Sequence, residues 1–166
     1  LHPTDRTILP IPQPKRQTIT ELDARNVQAP SRFGVAAPKG APNVLIVMID
    51  DMGFGMSDSF GGPINMPTAK RLAANGLKYN QFHTTALCSP TRSALMSGRN
   101  HHQNNMGSIT ETATAFPGNT GSRPDSVAYG AEMVRLNGYS TAWFGKNHET
   151  AAWEVSPSGP TDRWPT

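Results

Sequence analysis

Three small groups of residues in this 166-residue chain have the types and spacing to do chemistry. The first is Cys88-Ser89-Pro90-Thr91-Arg92, which holds the only cysteine. A lone thiol has no internal disulfide partner, so it is either inert core filling or a reactive centre. Pro90 and the flanking Ser and Thr residues argue against a simple apolar pocket. If a helix begins at about Pro90, its free N–H groups and dipole favour an anion developing near Cys88. Arg92, one turn later on the same face, could hold an oxyanion through two N–H donors.

The second group is Asp50-Asp51. Adjacent carboxylates repel each other, and burial raises the cost, so a nearby cation is the natural compensation. Hard oxygen donors suit Ca²⁺ or Mg²⁺. The plain alternative is a solvated turn after a strand. The third group is Lys146 and His148, one residue apart, which point the same way if the segment is extended. Together they could bind an anion and hold or move a proton; the alternative is a surface loop. His101-His102 has no third ligand at suitable spacing and reads as a structural or rim pair. Trp143, Trp153 and Trp164 read as packing residues.

These groups need elements to position them. Asn43 to Ile49 is a continuous apolar run rich in β-branched residues, as in a strand buried on both faces of a parallel sheet. It leads into Asp50-Asp51 and the loop Met52-Gly53-Phe54-Gly55. A helix is predicted over Met66 to Asn75, with Asn65 as cap, Pro67 near its start and Gly76 after its end. Ala69, Leu72 and Ala73 would form its apolar face. A short strand is predicted from Leu77 to Phe82, then a helix from about Pro90 to Ser97 stopped by Gly98. A third helix is predicted from roughly Ser126 to Asn137, with Val127, Ala131 and Val134 on one face. Tyr139 to Phe144 would be a strand running into Gly145-Lys146-Asn147-His148. Strands alternating with helices predict an α/β fold, a mainly parallel sheet sandwiched by helices. Ligands gather beyond the carboxyl ends of such strands, which places Asp50-Asp51 and Lys146–His148 on one rim. Gly107 to Arg123, rich in Thr, Gly and Ser, reads as an exposed loop.

Composition narrows the classes further. Residues 1–42 carry seven prolines and no sustained period, and read as an extended arm lying on a larger body. Residues 43–166 hold the patterned region. Hydrophobic residues make up 36% of the chain and mean hydropathy is −0.47, with 15 Gly and 15 Pro, so loops take much of the length. The net charge of +3 is scattered, with no basic run to mark a nucleic-acid surface. The run Val44 to Ile49 is far too short to span a bilayer, so no transmembrane segment is expected. No positively charged, apolar leader precedes the arm, and the chain stops at Arg163-Trp164-Pro165-Thr166. The expectation is a fragment of a longer protein.

Taken together, the residues from about Ala41 onward resemble the amino-terminal part of a type I sulfatase, closest to bacterial arylsulfatases. Cys88-Ser89-Pro90-Thr91-Arg92 matches the family's C-x-P-x-R signature and continues through Ser93-Ala94-Leu95-Met96-Ser97-Gly98-Arg99. Asp50-Asp51-Met52-Gly53 stands upstream, and Gly138-Tyr139-Ser140-Thr141 through Gly145-Lys146-x-His148 downstream, in the family's order. The resemblance implies an alkaline-phosphatase-like core. It implies that Cys88 is converted to formylglycine by a formylglycine-generating enzyme. One hydroxyl of the hydrated aldehyde would attack sulfur and release the alcohol; the other would expel sulfate by re-forming the aldehyde. Asp50, Asp51 and the modified Cys88 would hold the cation, usually Ca²⁺, acting as Lewis acid and charge sink. Arg92 would hold the modified side chain, and Lys146 and His148 would contact it and the sulfate oxygens.

Asn147 stands where many relatives have an aromatic residue, and Ser97 where Thr is frequent. The family's further metal ligands, an acid and an amide, and a second His and Lys come from a later segment absent here, so this stretch alone is expected to be inactive. The substrate expected is a small sulfate ester. A phosphonate monoester or phosphodiester hydrolase of the same superfamily is the alternative enzyme. A non-catalytic truncated remnant and a generic α/β binding domain are the alternatives outside it. Periplasm and cytoplasm both remain open.

Overall fold

The computed structural model describes residues 6–15, 18–30 and 32–155. Three helices stand where the sequence pattern puts them: α1 (Pro67–Asn75), α2 (Cys88–Ser97) and α3 (Gly130–Leu136). Single 3₁₀ turns lie at Ala24–Asn26, Asp58–Phe60, Thr110–Thr112 and Ala152–Glu154.

The helix ends differ from the expectations in instructive ways. At α1 the cap position is Met66, not Asn65, and no side chain caps from there. The Met66 N–H instead donates to the Asp58 carboxylate at 2.9 Å, so a distant acid does what a local cap would. Its apolar face is thin: Leu72 is exposed and no residue of α1 is buried. Helix α2 begins two residues earlier than predicted, at Cys88. Pro90 remains in the first turn, where its missing N–H breaks no helical bond. Gly98 ends α2 with φ 67, a left-handed conformation suited to glycine, and donates back to Ala94 O at 2.9 Å.

Helix α3 is shorter than predicted, because Pro124–Val127 forms a turn rather than helix, with the Val127 N–H donating to Pro124 O. The Arg123 guanidinium also donates to Val127 O, which holds this turn in place. Val127 is buried as expected, whereas Val134 is exposed. A Cβ at Gly130 would lie 3.5 Å from Met96 O, an ordinary contact, so α3 starts beside the end of α2 without needing a glycine there.

The parallel sheet does not form among the described residues. No strand is present at 43–49, 77–82 or 139–144, and the one ladder contact is an isolated parallel bridge between Ser57 and Ile64. Val44, Leu45, Ile46, Val47 and Ile49 are all exposed, Leu45 at 87%. An apolar run of this kind becomes a buried strand only when neighbouring strands take its N–H and C=O groups and helices cover both faces. No described residue supplies those neighbours.

Specific contacts join residues of the proline-rich arm to one another and to the end of α3. Arg6 donates to Asn137 O at 2.8 Å and to Ala36 O at 2.7 Å. The Ala37 N–H donates to Gly138 O at 3.2 Å. Gly138 has φ 90, and a Cβ there would fall 2.3 Å from the Ala36 carbonyl carbon, so only glycine fits this crossing. Ile11 is buried, and it lines a cavity of about 500 Å³ together with Phe33, Val35 and Leu136.

Residues 100–123 are irregular but closely bonded rather than a plain exposed loop. Asn104 donates to Ser97 Oγ at 2.7 Å and to Ser93 O, and Met106 is fully buried. Asn105, at φ 59, joins Gly118 and Ser122 through its side chain. Among the described residues, no helix is long and apolar enough to cross a membrane.

Candidate functional site

The site forms where three loops meet the first turn of α2. Cys88 is the first residue of that helix and is half-buried. Arg92, one turn on, is 4% exposed, because its helix face turns inward. Its guanidinium reaches Asp50 Oδ1 at 3.0 Å and the Lys146 carbonyl at 2.8 Å. Arg92 therefore ties the loops bearing Asp50 and Lys146 to α2.

Lys146 completes the arc. Its Nζ donates to Asp50 Oδ2 at 2.6 Å and lies 3.4 Å from Cys88 Sγ. The two cations hold the Asp50 carboxyl below the usual carboxylate range, Lys146 first and Arg92 second. The same contact with Asp50, aided by Cys88, raises the Lys146 ammonium, so both groups stay charged at neutral pH. Asp51 follows with φ 52. Donor atoms of Asp50, Asp51 and Cys88 all lie within 4.8 Å of one another, and no other such group occurs among the described residues.

Those donors fit a hard divalent cation. Two carboxylates offer oxygen, and Asp50 and Asp51 are both exposed enough to accept an ion. The thiol is the soft member of the set, and an oxygen in its place would make all three donors hard.

Lys146 and His148 do not lie on one extended segment, as their spacing predicts. Gly145 has φ 93 and His148 φ 60, so the chain turns at both ends of the pair. His148 instead meets Glu111, with Nε2 at 2.8 Å from each carboxylate oxygen. This contact holds the Glu111 carboxyl below its ordinary value.

Behind α2 lies a buried polar cluster. Glu149 is 4% exposed and Tyr129 2%, with Ser89 and Ser93 fully buried beside them. Burial pushes the Glu149 carboxyl up to about 7, against the pull of Tyr129, Arg92 and Arg123, and also raises the Tyr129 phenol. Tyr129 is close enough to favour the ionised carboxylate, yet neither group completes a well-aligned hydrogen bond among the described residues.

Sequence reasoning missed Glu111 and Glu149. Glu111 is the sole acid in the stretch from Gly107 to Arg123, a signal that was available. Glu149 directly follows His148 and carries no periodic signal. His101 and His102 are structural: their ring centroids lie 4.2 Å apart and His101 Nδ1 meets Met106 O. Trp143 is half-buried, Trp153 is exposed, and Trp164 lies outside the described residues.

The thiol of Cys88, the paired acids Asp50 and Asp51 and the cations Arg92 and Lys146 thus gather on one loop rim. A sequence profile of the Sulfatase family matches residues 42–164, and the chain belongs to that family. Membership implies its alkaline-phosphatase-like α/β architecture. The chain is 37% identical over 123 residues to an uncharacterized sulfatase of Schizosaccharomyces pombe, covering 70% of this chain and 22% of that protein. It is 32% identical to an arylsulfatase of Klebsiella aerogenes, covering 68% and 25% respectively. It is 38% identical to a human steryl-sulfatase, covering 64% and 19%. The chain thus spans about a fifth to a quarter of the length of these curated relatives.

Proposed function

We propose that the protein hydrolyses sulfuric esters, as an arylsulfatase-type enzyme whose nucleophile is a formylglycine made from Cys88. The observation that carries this reading is Lys146 Nζ standing between Asp50 Oδ2 at 2.6 Å and Cys88 Sγ at 3.4 Å. It brings the signature cysteine and the paired acids under one cation. Family membership and the names of its relatives support the same reaction class.

Asp50 and Asp51, with the modified Cys88 side chain, would hold Ca²⁺ or Mg²⁺. That ion supplies Lewis acidity and charge neutralisation to the sulfate, and the aldehyde hydrate supplies the attacking oxygen. The chain's own residues do the rest. Arg92 fixes the distance between the acid loop and the Lys146 loop. Lys146 offers positive charge to a developing oxyanion at position 88. His148 would contact the modified side chain and the sulfate oxygens, where an imidazole can hold or move a proton. Conversion of Cys88 is assigned to a formylglycine-generating enzyme, as the C-x-P-x-R signature of the family implies.

The test uses the protein at its natural length, coexpressed with a formylglycine-generating enzyme. Mass spectrometry of the Cys88 peptide should find the aldehyde, and an aryl sulfate should be hydrolysed, with activity lost in Cys88→Ala. Retention of unmodified thiol, or clear preference for an aryl phosphonate, would overturn the proposal.

A further inference from the structure

We propose that Glu111 is a positioning residue for His148, fixing the imidazole through Nε2 and leaving Nδ1 as its working nitrogen. The kinetic part of this inference rests on the sulfatase reading; the geometric part does not.

An ionised carboxylate only accepts hydrogen bonds, so the nitrogen facing it must carry the proton. Nε2 lies 2.8 Å from both Oε1 and Oε2 of Glu111, which assigns the proton to Nε2. Nδ1 is then the lone-pair nitrogen of the neutral ring. It is buried and has no hydrogen-bond partner among the described residues. A buried ring nitrogen without a partner is costly unless something else meets it.

The ring is held from both sides. His148 adopts φ 60, an uncommon conformation for a non-glycine residue, and such conformations persist where the surroundings over-determine them. Here Asn147 Oδ1 accepts from the Glu149 N–H at 2.8 Å and from the Thr150 hydroxyl, which closes the turn around His148. Glu111 is braced in turn. It sits in the 3₁₀ turn Thr110–Thr112, where Thr112 Oγ1 donates to Ser108 Oγ and Ser108 Oγ to Asn119 Oδ1. Thr110 Oγ1 donates to Glu111 Oε2 at 3.3 Å. A carboxylate oriented by its own loop, meeting a ring 37 residues away, is the arrangement that fixes tautomer and ring direction.

Stability is a poor explanation for the pair. The Glu111 side chain is 59% exposed, and a hydrogen bond so open to water contributes little net stability. A purely structural pair would therefore leave no mark on turnover when broken.

The test compares the chain with Glu111→Ala and Glu111→Gln. In the ¹⁵N-histidine-labelled chain, NMR should show a downfield, exchange-protected Nε2–H resonance for His148. Glu111→Ala should lose it, and Glu111→Gln, which keeps an acceptor oxygen, should retain it. In the natural-length enzyme, Glu111→Ala should lower kcat by about 10- to 100-fold, the cost typical of removing a carboxylate partner from a functional imidazole. KM should hold, and Glu111→Gln should recover part of the loss. A resonance indifferent to Glu111→Ala overturns the proposal, as does an unchanged kcat in an enzyme that turns over sulfate esters. If the natural-length protein hydrolyses no sulfate ester, the functional reading fails by itself, and the NMR comparison still decides the pairing.

Discussion

Glu149 gives the sharpest stability test. Its carboxyl is 4% exposed and is pushed from an ordinary value of 4.5 up to about 7, chiefly by loss of solvent. The native state therefore keeps a proton that the unfolded chain has already released between those two values. The contribution to stability is fully present below about 4.5 and is lost as pH rises through about 7. That displacement corresponds to about 3 kcal/mol. For a chain of this length it is equivalent to about 6–12 °C in Tm. Glu149→Gln keeps the shape and removes the charge. Its Tm should match that of the parent near pH 4.5 and exceed it near pH 8 by about that margin. The assay is thermal unfolding followed by circular dichroism on both proteins across this range. Effects of other groups are common to both proteins and cancel in the difference. Asp50 and Glu111, both held low, act in the opposite sense, losing their contribution only as pH falls below the ordinary carboxylate range. Parallel curves for parent and variant, or a parent more stable at pH 8, would refute the reasoning.

Two further substitutions probe the scaffold. Gly138→Ala combines a φ of 90 with a Cβ 2.3 Å from the Ala36 backbone, and should cost about 1–3 kcal/mol from the conformation alone. Limited proteolysis should show the arm released in that variant, with residues before Ala36 cut faster than in the parent. Ser97→Ala removes the hydroxyl that accepts from Asn104 at 2.7 Å and leaves a buried amide short of a partner. Urea unfolding should show a loss of about 1–3 kcal/mol.

The helices were legible because each carries its own punctuation. Gly98 and Gly138 stand at or just past the ends of α2 and α3, and Pro67 and Pro90 in the first turns of α1 and α2. The meeting of Asp50 with Lys146 was legible too, from both following an apolar run, and Lys146 Nζ does reach Asp50 Oδ2. The runs themselves did not become strands. A sheet is a property of neighbours, and Val44–Ile49 finds none among the described residues. The role of Arg92 was read only halfway: its place on α2 follows from spacing, but its bonds to Asp50 and Lys146 cross 42 and 54 residues. Glu111 and Glu149 were not legible for the same reason. Their partners lie on other loops or on a helix start, and nothing local marks an acid that will be paired or buried.

The apolar run from Val44 to Ile49 has a consequence for handling the chain. Its six residues contain no charge, no proline and no glycine, and among the described residues its backbone pairs with no neighbour along either edge. Such a ribbon is a template for a second copy of itself, on either side. A net charge of +3 scattered over 166 residues gives little repulsion against that stacking. Sedimentation of this polypeptide should therefore depend steeply on concentration, and dilution, more than added salt, should keep it monodisperse.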